Sequence, residues 1–124
     1  MEPKGQHDIT LVRDETLEFK LTDKAVIYYR RISSGEHARI TARATKRGNL
    51  DLALYQSLLL RAAIKGWRGF TDPAGSVPSM AEPGSAEAAA AVDEFVSILP
   101  GSLTDELFRK MRDVAALDEA LLGN

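Results

Sequence analysis

The longest apolar run in the chain sets the pattern for the rest. It starts at Leu52 and takes in Leu54, Tyr55, Leu58, Leu59, Leu60, Ala62, Ala63, Ile64 and Trp67. These positions cover most of a helix circumference, which predicts a helix buried among several neighbours. Ser57, Arg61, Lys65 and Arg68 recur at spacings of three and four and leave one wet edge. Gly66 is placed to stop this helix with a left-handed residue. Trp67, Gly69 and Phe70 follow, and then Asp72-Pro73-Ala74-Gly75 gives a turn. Pro73 fixes φ, Gly75 tolerates positive φ, and Asp72 can accept backbone N–H groups ahead of it.

Before this run the pattern has period two. Residues 9–13 and 16–21 read as short strands on either side of Asp14-Glu15, with Leu17, Phe19 and Leu21 alternating with Glu18 and Lys20. Thr22-Asp23-Lys24 makes a turn, and residues 25–32, rich in β-branched and aromatic side chains, read as the next strand. Ser33-Ser34-Gly35-Glu36 matches a capping box. It predicts a helix over residues 35–47 that ends at Gly48, with Asn49 or Asp51 capping the central helix. Residues 71–85 are rich in Pro, Gly, Ser and Ala and read as an exposed connecting loop. Ser85 caps a helix through Leu99 whose inner face is Val92, Phe95, Val96 and Leu99. Pro100-Gly101 ends it, and Ser102-x-x-Asp105 opens a last helix with a seam of Leu103, Leu107, Met111, Val114, Leu117 and Leu121. The expectation is an α+β fold, a small N-terminal antiparallel sheet or hairpin followed by about four helices.

Composition bounds this picture. The 124 residues, 44% of them hydrophobic, suit a single domain spanning 1–124, with a flexible start over residues 1–8. The absence of cysteine excludes disulfides, thiolate nucleophiles and Cys-ligated metals. The opening MEPKGQHD has no apolar segment of the signal-peptide kind, and Arg61 and Lys65 break the longest apolar run. A cytoplasmic protein with no membrane partner is the expectation. The net charge of −2 is unevenly placed. Residues 20–70 hold eleven Lys/Arg against three acids, a net of +8, whereas residues 71–124 hold three against ten, a net of −7. Either the two halves face each other within one chain or copies associate head to tail.

Candidate chemistry is sparse. His7 and His37 lack the spacing that would hold a metal, and Gly66-x-x-Gly69 is too short for a phosphate loop. Ser85 and Ser102 read as caps, and Asp93-Glu94 and Asp105-Glu106 as solvated helix faces. No catalytic, cofactor-binding or metal residues are expected, and the chain reads as a non-enzyme. Arg39, Arg43 and Arg47, at steps of four with Lys46 alongside, form a basic stripe near Arg30, Arg31, Tyr28 and Tyr29 that could hold phosphates. Trp67 and Phe70 are either core plugs or anchors for a partner.

One stretch carries a family resemblance. An apolar helix runs into Ile64-Lys65-Gly66-Trp67-Arg68-Gly69-Phe70, then Asp72, Gly75 and Val77-Pro78, with Leu99-Pro100 ahead of the last helix. This resembles the tail assembly chaperones of long-tailed, siphovirus-like bacteriophages and related prophages. In that family an aromatic and a short helix follow Val-Pro closely, whereas here Ser79–Gly84 intervenes. The resemblance implies a non-enzymatic protein of the bacterial host cytoplasm. It would bind the tape-measure protein, and the tail tube protein besides, while the tail tube assembles, and would have no cofactor. A longer form made by ribosomal frameshifting is common in the family. The partner-binding candidates are then Arg39, Arg43, Arg47, Trp67 and Phe70, with self-association expected. The alternatives are a small nucleic-acid-binding protein using the basic helix face, or a structural head-tail or tail component of a phage.

Overall fold

A computed structural model describes residues 15–122, with residues 112–122 as helical backbone only. The strand expected over residues 9–13, His7, the flexible start and the outer seam residues Val114, Leu117 and Leu121 lie outside the described residues or side chains.

The fold is α+β. A four-stranded antiparallel sheet in the order β1 (Leu17–Lys20), β2 (Val26–Tyr29), β5 (Ile64–Arg68), β6 (Met80–Ala81) is covered by helices, and a separate two-stranded ribbon is formed by β3 (Thr45–Lys46) and β4 (Asn49–Leu50). β1 (Leu17–Lys20) keeps the predicted alternation, with Leu17 and Phe19 half-buried and Glu18 and Lys20 exposed. The Thr22 hydroxyl closes the following turn by accepting the N–H groups of Lys24 and Ala25 at 3.1 and 2.8 Å. β2 (Val26–Tyr29) is shorter than predicted and lies inside the sheet, with Val26, Ile27 and Tyr29 buried. Burial pushes the Tyr29 phenol above its ordinary pKa.

α1 (Ser34–Ala44) begins at the expected capping box, and the Glu36 amide donates to the Ser33 hydroxyl at 3.2 Å. Arg30 grips the Glu36 carboxylate with two bonds of 2.8 and 2.7 Å, tying β2 to α1. The Arg30 guanidinium pushes Glu36 down from its ordinary 4.5 to about 2. α1 stops three residues before the predicted end. Thr41 and Thr45 hydroxyls bond carbonyls one turn back, and Thr45 takes an extended backbone. The chain then turns through β3 (Thr45–Lys46) and β4 (Asn49–Leu50), with Arg47 and Gly48 both at positive φ, +53° and +80°. Positive φ at both central positions is the geometry that matches the twist of a two-residue hairpin.

α2 (Leu52–Ala63) is capped by Asp51, which accepts the Leu54 N–H at 3.1 Å. The central apolar run is not helical throughout. At Ile64 it becomes β5 (Ile64–Arg68) with no loop between, and β5 pairs with both β2 and β6 (Met80–Ala81). Gly66 is therefore a strand residue and not a helix stop. A Cβ there would sit 2.4 Å from the Ala81 carbonyl oxygen, so only glycine lets this backbone come so close.

Two of the four sheet strands thus come from the middle of the chain. α3 (Ala86–Ile98) is capped by Ser85 and packs on β5 through Phe95 and Val96. α4 (Gly101–Leu122) starts earlier than expected. The N–H groups of Leu103 and Thr104 bond the Pro100 carbonyl, so Ser102 lies inside the first turn and is not the cap. Among the described residues, Trp67, Phe95, Ile27, Leu60 and Leu107 are large, fully buried side chains of the core between sheet and helices; Val26 is as deeply buried but lies outside that cluster. Among the described residues no helix is long and apolar enough to cross a membrane.

Candidate functional site

The residues that carry the family resemblance are gathered in one place. The Trp67 ring stacks on Phe95 with centroids 4.0 Å apart and planes 5° from parallel, and Phe70 meets the same ring edge-on at 5.1 Å. The Trp67 indole N–H donates to the Pro78 carbonyl at 2.9 Å, so the polar handle of the buried ring is satisfied. Asp72 organises the intervening turn. Its carboxylate accepts the N–H groups of Ala74, Ser76 and Val77 at 3.0, 2.9 and 3.0 Å, and Gly75 takes φ +75°. Val77 is thereby brought into the core, and β6 onto the edge of β5. Gly69, at φ +82°, passes so close to Lys24 that a Cβ would lie 2.1 Å from its carbonyl oxygen. Residues 71–85 are thus not a uniformly exposed loop: Val77 and Ala81 are buried within them.

This placement decides between the two readings of the aromatic pair. Trp67 is 0% exposed and is a core residue. A surface-anchor role for it is excluded by that burial. Phe70 is half-buried and packs on Phe95.

The basic stripe divides as well. Arg39 and Arg43 stand on the exposed face of α1, but Arg47 leaves the helix for the tip of the ribbon. The ribbon prolongs α1 as an arm, and its base is tied back by the Asp51 amide, which donates to the Ala44 carbonyl at 2.8 Å. Arg39, Arg43, Lys46 and Arg47 are all exposed, and among the described residues none of them forms an ion pair. Leu50 and Leu52, 48% and 62% exposed, flank them at the foot of the arm. Arginine at a left-handed φ costs about 1–2 kcal/mol, and Arg47 holds that conformation with its charge in solvent. The other cations named with the stripe are not part of it. Arg30 binds Glu36, and Arg31 binds Glu15 at 2.6 Å. Tyr28 accepts from Arg68 at 2.9 Å, and Tyr29 is in the core.

Sequence reasoning missed a second cluster. His37 on α1 is exposed, as expected, yet its ring bonds the Tyr55 hydroxyl on α2, and Tyr55 meets Phe108 of α4 edge-on at 5.8 Å. Three helices are joined through these rings. Only the apolar placement of Tyr55 and Phe108 hinted at it. An open groove between β1 and α4, lined by Glu18, Lys20, Glu106, Arg109 and Lys110, mixes both signs of charge. Among the described residues no group of three or more His, Asp or Glu side chains could hold a metal ion.

The site as a whole is thus a basic and apolar ridge on α1 and its arm, unpaired among the described residues, beside a core to which the Gly66–Ala81 segment contributes Trp67, Val77 and Ala81. In comparisons with known proteins, no family model, curated protein or solved structure matches this chain.

Proposed function

We propose that the chain is a non-enzymatic tail assembly chaperone of a long-tailed bacteriophage or prophage. It would act in the host cytoplasm and hold the tape-measure protein while the tail tube assembles around it. The observation that supports this reading is that the resembling residues work as one unit. Gly66, Trp67, Gly69, Asp72, Gly75, Val77 and Pro78 are joined by one stacked ring, one indole bond and one carboxylate-centred turn. A set of motif residues that interlock structurally is what a shared fold leaves in a sequence. The test is co-expression with the tape-measure protein of a long-tailed phage. Co-elution of the two, and loss of that protein from the soluble fraction when the chain is omitted, is the expected result. A tape-measure protein that is equally soluble alone and never co-elutes would overturn the reading.

A second reading rests on a different observation. Four cations within nine residues, with no ion-pair partner among the described residues, also suit phosphates, so a small nucleic-acid-binding protein is the alternative. Titration with single- and double-stranded oligonucleotides at several salt concentrations separates the two. Tight, saturable binding near physiological salt, lost in the Arg39→Ala, Arg43→Ala double variant, would favour nucleic acid.

A further inference from the structure

The ridge carries a row of charge and apolar surface side by side. Arg39 and Arg43 lie four residues apart on α1, about 6 Å along its axis. Lys46 and Arg47 extend the row past the helix end onto the arm. Ala38 and Ala42, also exposed, run beside the two arginines at the same spacing. Leu50 and Leu52 stand where the Asp51–Ala44 bond returns the chain to α1. No acid lies between His37 and Leu50, and the acids that border this stretch are engaged, Glu36 by Arg30 and Asp51 by the Leu54 N–H. Phosphates would match the cations but gain nothing from the leucines. A partner that brings both carboxylates and apolar side chains satisfies the cations and also removes the leucines from water.

We infer that the ridge seats an acidic amphipathic helix of the protein that the chain holds, its carboxylates on Arg39, Arg43 and Arg47 and its apolar side chains on Leu50 and Leu52. The inference rests on the chaperone reading for the owner of that helix, and adds the surface used and the chemistry of the segment recognised. Acids four residues apart on a helix rise by the same distance as Arg39 and Arg43, so the two rows match step for step. The neighbouring alanines keep the surface of α1 low enough for a second helix to pack along it. The apolar face of such a helix is read through positions three and four apart. Arg47 fits this role. The hairpin it turns prefers Asn-Gly, yet the chain carries Arg-Gly there and so presents a cation at the tip of the arm.

The experiment is a fluorescence-anisotropy titration of the full chain with a labelled synthetic peptide of about 20 residues, long enough to form a helix, with rows of Glu and Leu on adjacent faces. The controls are a scrambled peptide of the same composition and one with Gln in place of Glu. The amphipathic peptide is expected to bind, more weakly as salt rises. Both controls should bind at least about tenfold more weakly. Arg43→Glu and Leu52→Ser should each weaken binding at least about tenfold, and Arg47→Asn should weaken it while keeping the turn that Asn-Gly favours. Circular dichroism melts show that each variant is folded. A peptide that does not bind overturns the inference, as does a scrambled peptide that binds equally well. An oligonucleotide held more tightly than the peptide through Arg43 would give the ridge to nucleic acid and also overturn it. A second copy would compete for the same ridge, so excess peptide should lower the mass of associated chains in light scattering; copies that keep the ridge closed against the peptide overturn the inference too. Co-elution separates this inference from the chaperone reading. A tape-measure protein held equally by wild type, Arg43→Glu and Leu52→Ser removes the ridge and leaves the chaperone, whereas one never held by wild type removes the chaperone.

Discussion

Residues 64–81 and residues 39–52 use the same local devices to opposite ends. Each contains a tight turn with glycine at positive φ, Gly75 in one and Gly48 in the other. Each places a short strand beside a helix end. In the first, the turn folds inward. Asp72 fixes it, Val77 is 5% exposed, and the paired strand joins a four-stranded sheet. In the second, the turn points outward. Its two-residue strands pair only with each other, and a Cβ at Gly48 would meet nothing within 4 Å. The difference lies in what flanks the turn. Trp67 and Val77 have apolar area to remove from water, whereas Arg43, Lys46 and Arg47 do not. Sequence motifs with conspicuous glycines and an aromatic can therefore mark the scaffold, while the surface proposed for binding is a stretch with no conspicuous motif at all.

The comparison breaks most visibly at Trp67. Trp67→Ala removes a fully buried ring and its Phe95 stack, and should cost about 3–5 kcal/mol in a denaturant melt. A melt unchanged by it would return the residue to the surface. Gly69→Ala comes next. It combines a left-handed backbone with a Cβ 2.1 Å from the Lys24 carbonyl, and should cost about 2–4 kcal/mol. Alanine at Gly48 has open space around it, so the same substitution there isolates the backbone effect.

Between the two regions sits the Arg30–Glu36 pair. Its folded carboxylate titrates near 2 and its ordinary value is 4.5, so the pair stabilises the protein fully above pH 4.5. That contribution is lost as pH falls from 4.5 toward 2. Both side chains are close to a third exposed, so solvent screening reduces the contribution to about 1–2 kcal/mol. Glu36→Gln should flatten the acid limb of a stability–pH curve by that amount. A curve of unchanged shape would mean that the pair is not formed in solution. The smallest effect belongs to the ridge. Arg39→Ala with Arg43→Ala should change stability by no more than about 0.5 kcal/mol, since neither side chain has an ion-pair partner to lose among the described residues. A larger loss would show that the ridge supports the fold.

The legible parts of the fold were those set by contacts within a few residues. Ser33, Asp51 and Ser85 cap helices because a side-chain oxygen meets an N–H three residues on, and their spacing alone reveals it. The strand at residues 64–68 was not legible. Lys65 and Arg68 continue the spacing of three and four begun by Ser57 and Arg61, so after Leu59 and Leu60 the segment looks like more of the same helix. Gly66 misled for the same reason: its need is a close approach by β6, a contact with residues 15 and more positions away. The arm was half-legible. Gly48 reads as the stop of a helix through Arg47, but the helix ends at Ala44 and Gly48 turns a ribbon instead; Thr45, read as helix, and Asn49, read as a candidate cap, both become strand residues. The unpaired state of Arg39 and Arg43, against the pairing of Arg30 and Arg31, depends on where Glu36 and Glu15 come to lie, which only the assembled fold decides.

The most direct measurement is amide hydrogen exchange across the chain at low and at high protein concentration, in low salt. The scaffold should not respond. Amides of β2 and β5 should exchange only through global unfolding at both concentrations. Amides of the arm, residues 45–50, should exchange quickly when dilute and gain protection at high concentration, the outcome that the expected self-association through the ridge predicts. Arm amides that ignore concentration, while those of residues 72–81 gain protection, would contradict the account and place the binding surface on the motif itself.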